Sequence, residues 1–329
     1  MDFNSQSKLN WVIVGGCPRS GTTGLMNYLN NTGQVALIPE YGTERLMRTL
    51  SLLFYKQKNI MRKSWIGSIN NSERKDTVNV GSFIKYVPQE ETSKDPLLTT
   101  LYNTTFANSP HFLGEKFPRY WQQDLRFIAS QVSSLTVIHI FRNPLKVFLS
   151  YKRRSELKQQ DLDLWTYDNK FNAAVDLIFA FEGFFKTSKS GIPVVPVKYE
   201  DLQDTSSADV MRLKTLFSIS GDESVLEPDF SSPTVEDLDS GELLFLRGLF
   251  AELEDQWHRP MDELLNIAAK INFRRRFVTC LLRRPSTQGL KAWLILSGVS
   301  CEKGFLVHIS IKIKKILRNV GLIVFRVDA

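Results

Sequence analysis

Cysteine is scarce. Cys17, Cys280 and Cys301 are the three in 329 residues, and no two stand in a CxxC spacing. An odd, scattered set gives neither a disulfide framework nor a zinc site, and it fits reducing surroundings. The N-terminus, "MDFNSQSKLNWVIVGG", has no apolar run long enough for a signal peptide or an anchor before its first strand, so a cytoplasmic protein is expected. Internal repeats, low-complexity tracts and flexible linkers are also missing, which excludes solenoids and strings of modules. With 43% hydrophobic and 23% charged residues the chain has the composition of an ordinary globular protein rather than a disordered one.

One more absence carries chemistry. "VIVGGCPRSGTTGLMNYL", residues 12 to 29, reads as an apolar strand, a glycine turn and a helix start. Successive backbone N–H groups in such a turn, feeding a helix N-terminus, form a concave site for phosphate oxygens. The ATP-binding version is G-x-x-x-x-G-K-[ST]. Here Gly16 and Gly21 keep their spacing, but Thr22 stands where the lysine belongs, Thr23 follows it, and the loop's cation is Arg19. A nucleotide 5′-phosphate could still be gripped, with no magnesium arrangement in view.

Strand and helix patterns then alternate. "QVALI" is a second apolar run, "DLRFIASQV" reads as a helix, "LTVIHIF" as a strand and "LKVFLSYKRRSEL" as a helix. Residues 168 to 187 form a Phe-rich helical pattern, "IPVVPVKY" a strand and "SSADVMRLKTLFSI" a helix. Such alternation predicts an α/β protein with a central parallel sheet covered on both faces. Between 41 and 110 the pattern loosens into an insertion suited to capping a site and shaping what enters it. From 240 onwards "SGELLFLRGLFAELEDQW" and "MDELLNIAAKINFRRRFVTCLLRR" read as helices.

At this point the motifs resemble those of a known family. "CPRSGTT" is similar to the 5′-phosphosulfate loop of sulfotransferases that use 3′-phosphoadenosine 5′-phosphosulfate (PAPS), and four further pieces follow in the family's order. "FRNPLKVFLS" resembles the 3′-phosphate motif, implying Arg142 and Ser150 as its grip. "GEKFPRYW" resembles the segment whose lysine reaches the transferred sulfuryl group, implying Lys116. "VKYEDL" resembles a late strand-end motif, implying Tyr199 near the 3′-phosphate. Glu40, 21 residues after Arg19, stands at the spacing of the acidic base in protein-tyrosine sulfotransferases. The match runs from residue 11 to about 220 and sits closer to the protein-tyrosine and bacterial glycan branch than to the cytosolic one, whose histidine base would fall at Pro118.

The resemblance implies a P-loop NTPase-like three-layer fold in one sulfotransferase domain over 1–329, with a mainly helical cap from the 41–110 insertion and the C-terminal region. It implies Glu40, Lys116 and Arg19 as catalytic residues. Arg19, Ser20, Gly21, Thr22, Thr23, Arg142, Ser150 and Tyr199 would bind PAPS as co-substrate. No metal is expected, because positioned cations and helix-dipole donors suffice for a sulfuryl group. The base stays open between Glu40, His111 and Glu44, with Arg45 another site candidate and Glu115 a residue to orient Lys116. His139, in mid-strand, reads as a buried core histidine. Of Lys146, Lys152, Arg153 and Arg154, most read as solvated. The acceptor preferred is a hydroxyl on a glycan, lipid-linked glycan or small alcohol, and no nucleic-acid partner is expected. The rivals are a kinase-like P-loop enzyme and a catalytically silent nucleotide-binding module.

Charge is uneven along the chain. Residues 266 to 329 hold 13 Lys and Arg against Glu302 and Asp328, so this basic C-terminal helical region carries +11 of a net +7 and the remainder −4. In "HISIKIKKILRNVGLIVF" a helical wheel gathers the apolar residues opposite Lys314, Lys315 and Arg318 better than a strand does. Two placements follow: against the enzyme's own core, or peripherally on an anionic membrane.

Overall fold

A computed structural model describes residues 10–40, 44, 111–159, 170–220, 225, 238–283 and 287–297. Its five strands are β1 (Asn10–Gly16), β2 (Val35–Pro39), β3 (Phe112–Lys116), β4 (Ser134–Phe141) and β5 (Val194–Lys198). They form one parallel sheet in the order β2-β3-β1-β4-β5. Three helices accompany them in sequence: α1 (Thr22–Asn31), α2 (Leu125–Gln131) and α3 (Pro144–Gln159). Then come α4 (Lys170–Ser188), α5 (Ala208–Phe217), α6 (Ser240–Asp255), α7 (Met261–Ala268), α8 (Phe273–Arg283) and α9 (Thr287–Leu296). The fold is α/β and P-loop NTPase-like, as the motifs implied.

Period-two alternation along β1 builds the three layers. Val12 and Val14 pack with Leu25 and Leu29 of α1 and Leu213 and Phe217 of α5 on one face. Trp11 and Ile13 pack with Leu125 and Ile128 of α2 on the other. Strands buried on both faces need continuous apolar runs, which is why "WVIV" and "VIHIF" carry almost no polar residue. Farther along the second face, His139 and Phe141 of β4 stack on each other and meet Phe184 of α4 edge-on.

The chain divides into two compact units, residues 1–143 with 180–231, and residues 144–179 with 232–329. The first holds the sheet. The second is helical among its described residues, with Phe171, Phe245 and Phe277 meeting edge-to-face in its core. Its buried Tyr151 hydroxyl donates to Asp176 at 2.8 Å. α6 begins with a capping box in which Asp239 accepts from the N–H of Glu242. Lys152, one of the four basic residues of which most read as solvated, also reaches Glu242 at 3.0 Å.

Two local readings change. β3 is a strand that sequence patterning passes over, because "FLGEK" ends in charged residues; Glu115 and Lys116 are nonetheless buried. The stretch beginning "MDELLNIAAKIN" is two helices, α7 and α8, since Asn272 caps α8 by accepting from the N–H of Arg275 at 3.0 Å. The 41–110 insertion apart from Glu44, the side chain of Arg154 and the tail from 298 lie outside the described residues. Among the described residues no helix is long and apolar enough to cross a membrane.

Candidate active site

A parallel sheet presents the C-terminal ends of all its strands along one edge, and ligands of open α/β sheets bind outside that edge where the strand order reverses. Here that edge carries Glu40 after β2, Lys116 ending β3, the glycine loop after β1, Arg142 after β4 and Tyr199 after β5, in that spatial order. Residues scattered from Gly16 to Tyr199 in the sequence thus share a row about 19 Å long at the usual spacing between strands. Backbone hydrogen bonds tie the row together. Gly16 N–H donates to the Pro118 carbonyl at 2.9 Å, Glu40 N–H to that of Lys116 at 2.7 Å, and Tyr199 N–H to that of Phe141 at 2.7 Å.

The loop is shaped for an anion. Gly16 and Gly21 have φ of 141° and 100°, and Arg19, exposed to solvent, sits at φ 70°. α1 starts without a side-chain cap and without an acidic residue in its first turn. Its leading N–H groups, from Thr22 onward, have no carbonyl one turn back and carry the positive end of the helix dipole. Ser20 is fully buried, and its hydroxyl has no hydrogen-bond partner among the described residues. Thr22 is buried and Thr23 exposed.

Arg142 and Tyr199 hold this loop from beside. The Arg142 guanidinium lies 4.2 Å from the centre of the Tyr199 ring and donates to the Arg19 carbonyl at 3.1 Å. The same ring fills the space that a side chain at Gly21 would need; a Cβ there would stand 2.3 Å from it. Gly21 is therefore required twice, for its positive φ and for that contact. Tyr199, expected near a 3′-phosphate, touches the loop itself. Ser150 stands half-buried on α3, in the second unit.

On the other side of the loop, Lys116 forms an ion pair with Glu40. The lysine side chain is 9% exposed and the carboxylate 37%, so a buried cation is held by a carboxylate that still meets solvent. Lys116 pairs in register with Val14, on the face of α1, whereas Glu115 pairs with Ile13 on the opposite face. Glu115 accordingly takes a hydrogen bond from Gln123 at 2.7 Å and does not orient Lys116. The two other candidate bases stand at different places. His111 precedes β3 at the far end of the strand from Lys116, about 16 Å off at strand rise, and Glu44 accepts the N–H of Asp124 at 2.7 Å, ahead of α2. Arg45 lies outside the described residues.

Beneath the loop is a residue that sequence reading had not linked to it. Tyr120, fully buried, fills the space where a Cβ on Gly15 would stand and shares a 2.8 Å hydrogen bond with Nδ1 of His139. Burial alone pushes His139 down to about 3, so the imidazole stays neutral. A Gly-Gly pair ending a strand was the available signal, since only the absence of a side chain lets a ring pack against the backbone.

Fold and site together define an α/β protein of the P-loop kind, with an anion-shaped loop and a cation–carboxylate pair beside it. The chain belongs to the sulfotransferase family, whose model matches residues 12–221. Solved structures resemble it more loosely. The sulfotransferase domain from the curacin biosynthetic pathway is 16% identical, covering 80% of this chain and 96% of its own, with a TM-score of 0.42. That of the Synechococcus PCC 7002 olefin synthase is 16% identical over 91% of this chain and 97% of its own, at 0.39. A sulfotransferase from Alicyclobacillus acidocaldarius is 14% identical over 78% and 98%, at 0.38. TM-scores of this size carry no weight beside the family match. No curated protein matches the chain.

Among the described residues no group of His, Cys, Asp and Glu is placed to hold a metal ion.

Proposed function

We propose that the chain moves a sulfuryl group from PAPS to an acceptor hydroxyl, releasing a sulfated acceptor and adenosine 3′,5′-bisphosphate. The observation that supports this best is the Lys116–Glu40 ion pair on the strand ends next to the glycine loop. PAPS supplies a sulfuryl group bound through oxygen to its 5′-phosphate. The N–H groups from Gly21 to Thr23, the Ser20 hydroxyl and the Arg19 guanidinium hold that phosphate, the Ser20 N–H being donated instead to the Cys17 carbonyl at 3.0 Å; Arg142 and Ser150, by their resemblance to the family motif, hold the 3′-phosphate.

An acceptor hydroxyl coming between Lys116 and Glu40 would take Glu40 as its proton acceptor and leave the ammonium for the sulfuryl oxygens. The acceptor oxygen then bonds to sulfur as the bond from sulfur to the 5′-phosphate oxygen breaks. The electron pair goes to that phosphate, where Arg19 and the helix N-terminus offset the added charge. Nothing in this sequence of events needs a metal. A glycan, lipid-linked glycan or small alcohol is the acceptor class we favour, and mass spectrometry of sulfated products from cells with and without the gene would identify it.

Calorimetry tests the donor. PAPS should bind in EDTA, and neither ATP nor GTP should be hydrolysed with magnesium. No heat from PAPS together with magnesium-dependent ATP turnover would replace this reading with the kinase-like one.

A further inference from the structure

The second unit has a cavity lined by none of the residues assigned above to sulfuryl transfer. It holds about 300 Å³ between α6 and α8 and is lined by Arg275, Arg276, Arg283, Thr279, Cys280 and the backbone of Gly248 among others. Steps of four residues bring Arg275, Thr279 and Arg283 to one face of α8. Gly248 lets α6 come close there, since a Cβ at that position would stand 2.6 Å from the Cys280 sulfur. No acidic side chain is among the lining residues. Among the described residues, Glu252 pairs with Arg276 at 2.5 Å, while Arg275 and Arg283 are exposed to solvent.

Three guanidiniums around a concave volume of this size would repel one another, and a polyvalent anion relieves that repulsion. Each guanidinium offers a planar fork of donors that matches two oxygens of a phosphate or sulfate group, which a plain hydrophobic groove would not provide. The thiol reports on the same field: burial raises the Cys280 pKa, and Arg283 and Arg276 act against that rise. The volume suits a small phosphorylated or sulfated molecule rather than a bare ion.

We infer that this groove is a second anion site, separate from the glycine loop, which takes a phosphomonoester, diphosphate or sulfate-ester group. It does not rest on the PAPS reading. The group has two sources, a soluble metabolite or the headgroup of an acidic lipid; the exposed Leu282 beside Arg283 suits the second.

Cys280 gives a local readout. The full chain is treated with iodoacetamide, a neutral reagent, and alkylation at Cys280 is followed by peptide mass spectrometry. Three probes are compared: inorganic pyrophosphate, phosphatidylcholine vesicles containing phosphatidic acid, and phosphatidylcholine vesicles alone. Pyrophosphate should slow alkylation in a saturable way if the source is soluble, and only the phosphatidic acid vesicles should do so if it is a lipid. Arg275→Ala with Arg283→Ala should weaken that protection by about tenfold to a hundredfold, the loss expected for charge-assisted hydrogen bonds. Both residues are exposed, so the melting temperature should hold. Absence of protection by either anionic probe overturns the inference, as does protection that persists undiminished in the double variant. Equal protection by the neutral vesicles overturns it too.

Discussion

The two sides of the sheet's first unit treat polar groups in opposite ways. Along the C-terminal edge, Glu40, Arg19 and Arg142 keep access to solvent, and the loop adopts positive φ at Gly16, Arg19 and Gly21. Under that edge, the pair of Tyr120 and His139 is sealed among Trp121, Phe141 and Phe184, and Nε2 of His139 has no hydrogen-bond partner among the described residues. Strain and charge gather where a ligand would repay them; neutral polar groups gather where packing fixes the backbone. Substitutions at the edge should therefore damage turnover and spare the fold, and substitutions beneath it should do the reverse.

The largest effect expected is on turnover. Glu40→Gln should cost a factor of about a hundred to ten thousand in kcat on the true acceptor, the usual worth of a general base, while PAPS affinity stays near its normal value. Steady-state kinetics with calorimetry on the same variant measures both. Near-full turnover would take the base role from Glu40 and weaken the contrast.

Acid should expose the buried side. His139 has its pKa lowered to about 3 when folded, from an ordinary 6.5, so between those values the unfolded chain binds a proton that the folded one refuses. Stability is unaffected by this group above pH 6.5 and falls as pH drops from 6.5 toward 3, at up to about 1.4 kcal/mol per pH unit. Urea unfolding at several pH values should show this slope reduced in His139→Phe, with the variant weakened at neutral pH by about 0.5 to 1.5 kcal/mol for one lost hydrogen bond, since the Tyr120 hydroxyl keeps its bond with Thr187. An unchanged slope would mean that the acid sensitivity lies elsewhere.

Arg142→Ala comes next. Losing a charged, hydrogen-bonded grip costs about 1.5 to 3 kcal/mol, so PAPS should bind roughly tenfold to a hundredfold more weakly. Adenosine 5′-phosphosulfate, which lacks the 3′-phosphate, should lose less, and what it does lose measures the bond from Arg142 to the Arg19 carbonyl. Equal losses would make Arg142 a support of the loop and not a 3′-phosphate ligand.

The smallest effect belongs to the second unit. Lys152→Ala breaks the pair with Glu242, a partly exposed contact worth about 1 kcal/mol or less, and should shift the melting temperature by a few degrees at most without touching kcat. A large loss of activity would join Lys152 itself, and not only its neighbour Ser150, to the chemistry.

Much of this was legible in short stretches. Glycines at fixed spacing before a helix announce the anion loop, because the requirement for positive φ and open N–H groups is local. "VIHIF" announces a strand buried on both faces, and His139 could be read as core from its apolar neighbours. β3 was not legible, since a strand that ends Gly-Glu-Lys lacks any alternation of apolar and polar residues, and its place beside β1 comes from pairing over a hundred positions of sequence. The partner of Glu115 was misread for the same reason.

The sequence by itself determined the α/β alternation, the loop that lacks a lysine, and the residue types available for sulfuryl transfer, all of which follow from spacings of a few residues. Only the tertiary structure decided that Glu40, Lys116, the loop, Arg142 and Tyr199 stand in one row, and that Lys116 rather than Glu115 faces it. Strand order and register set those positions, and both arise from long-range pairing and burial that no short window of sequence contains.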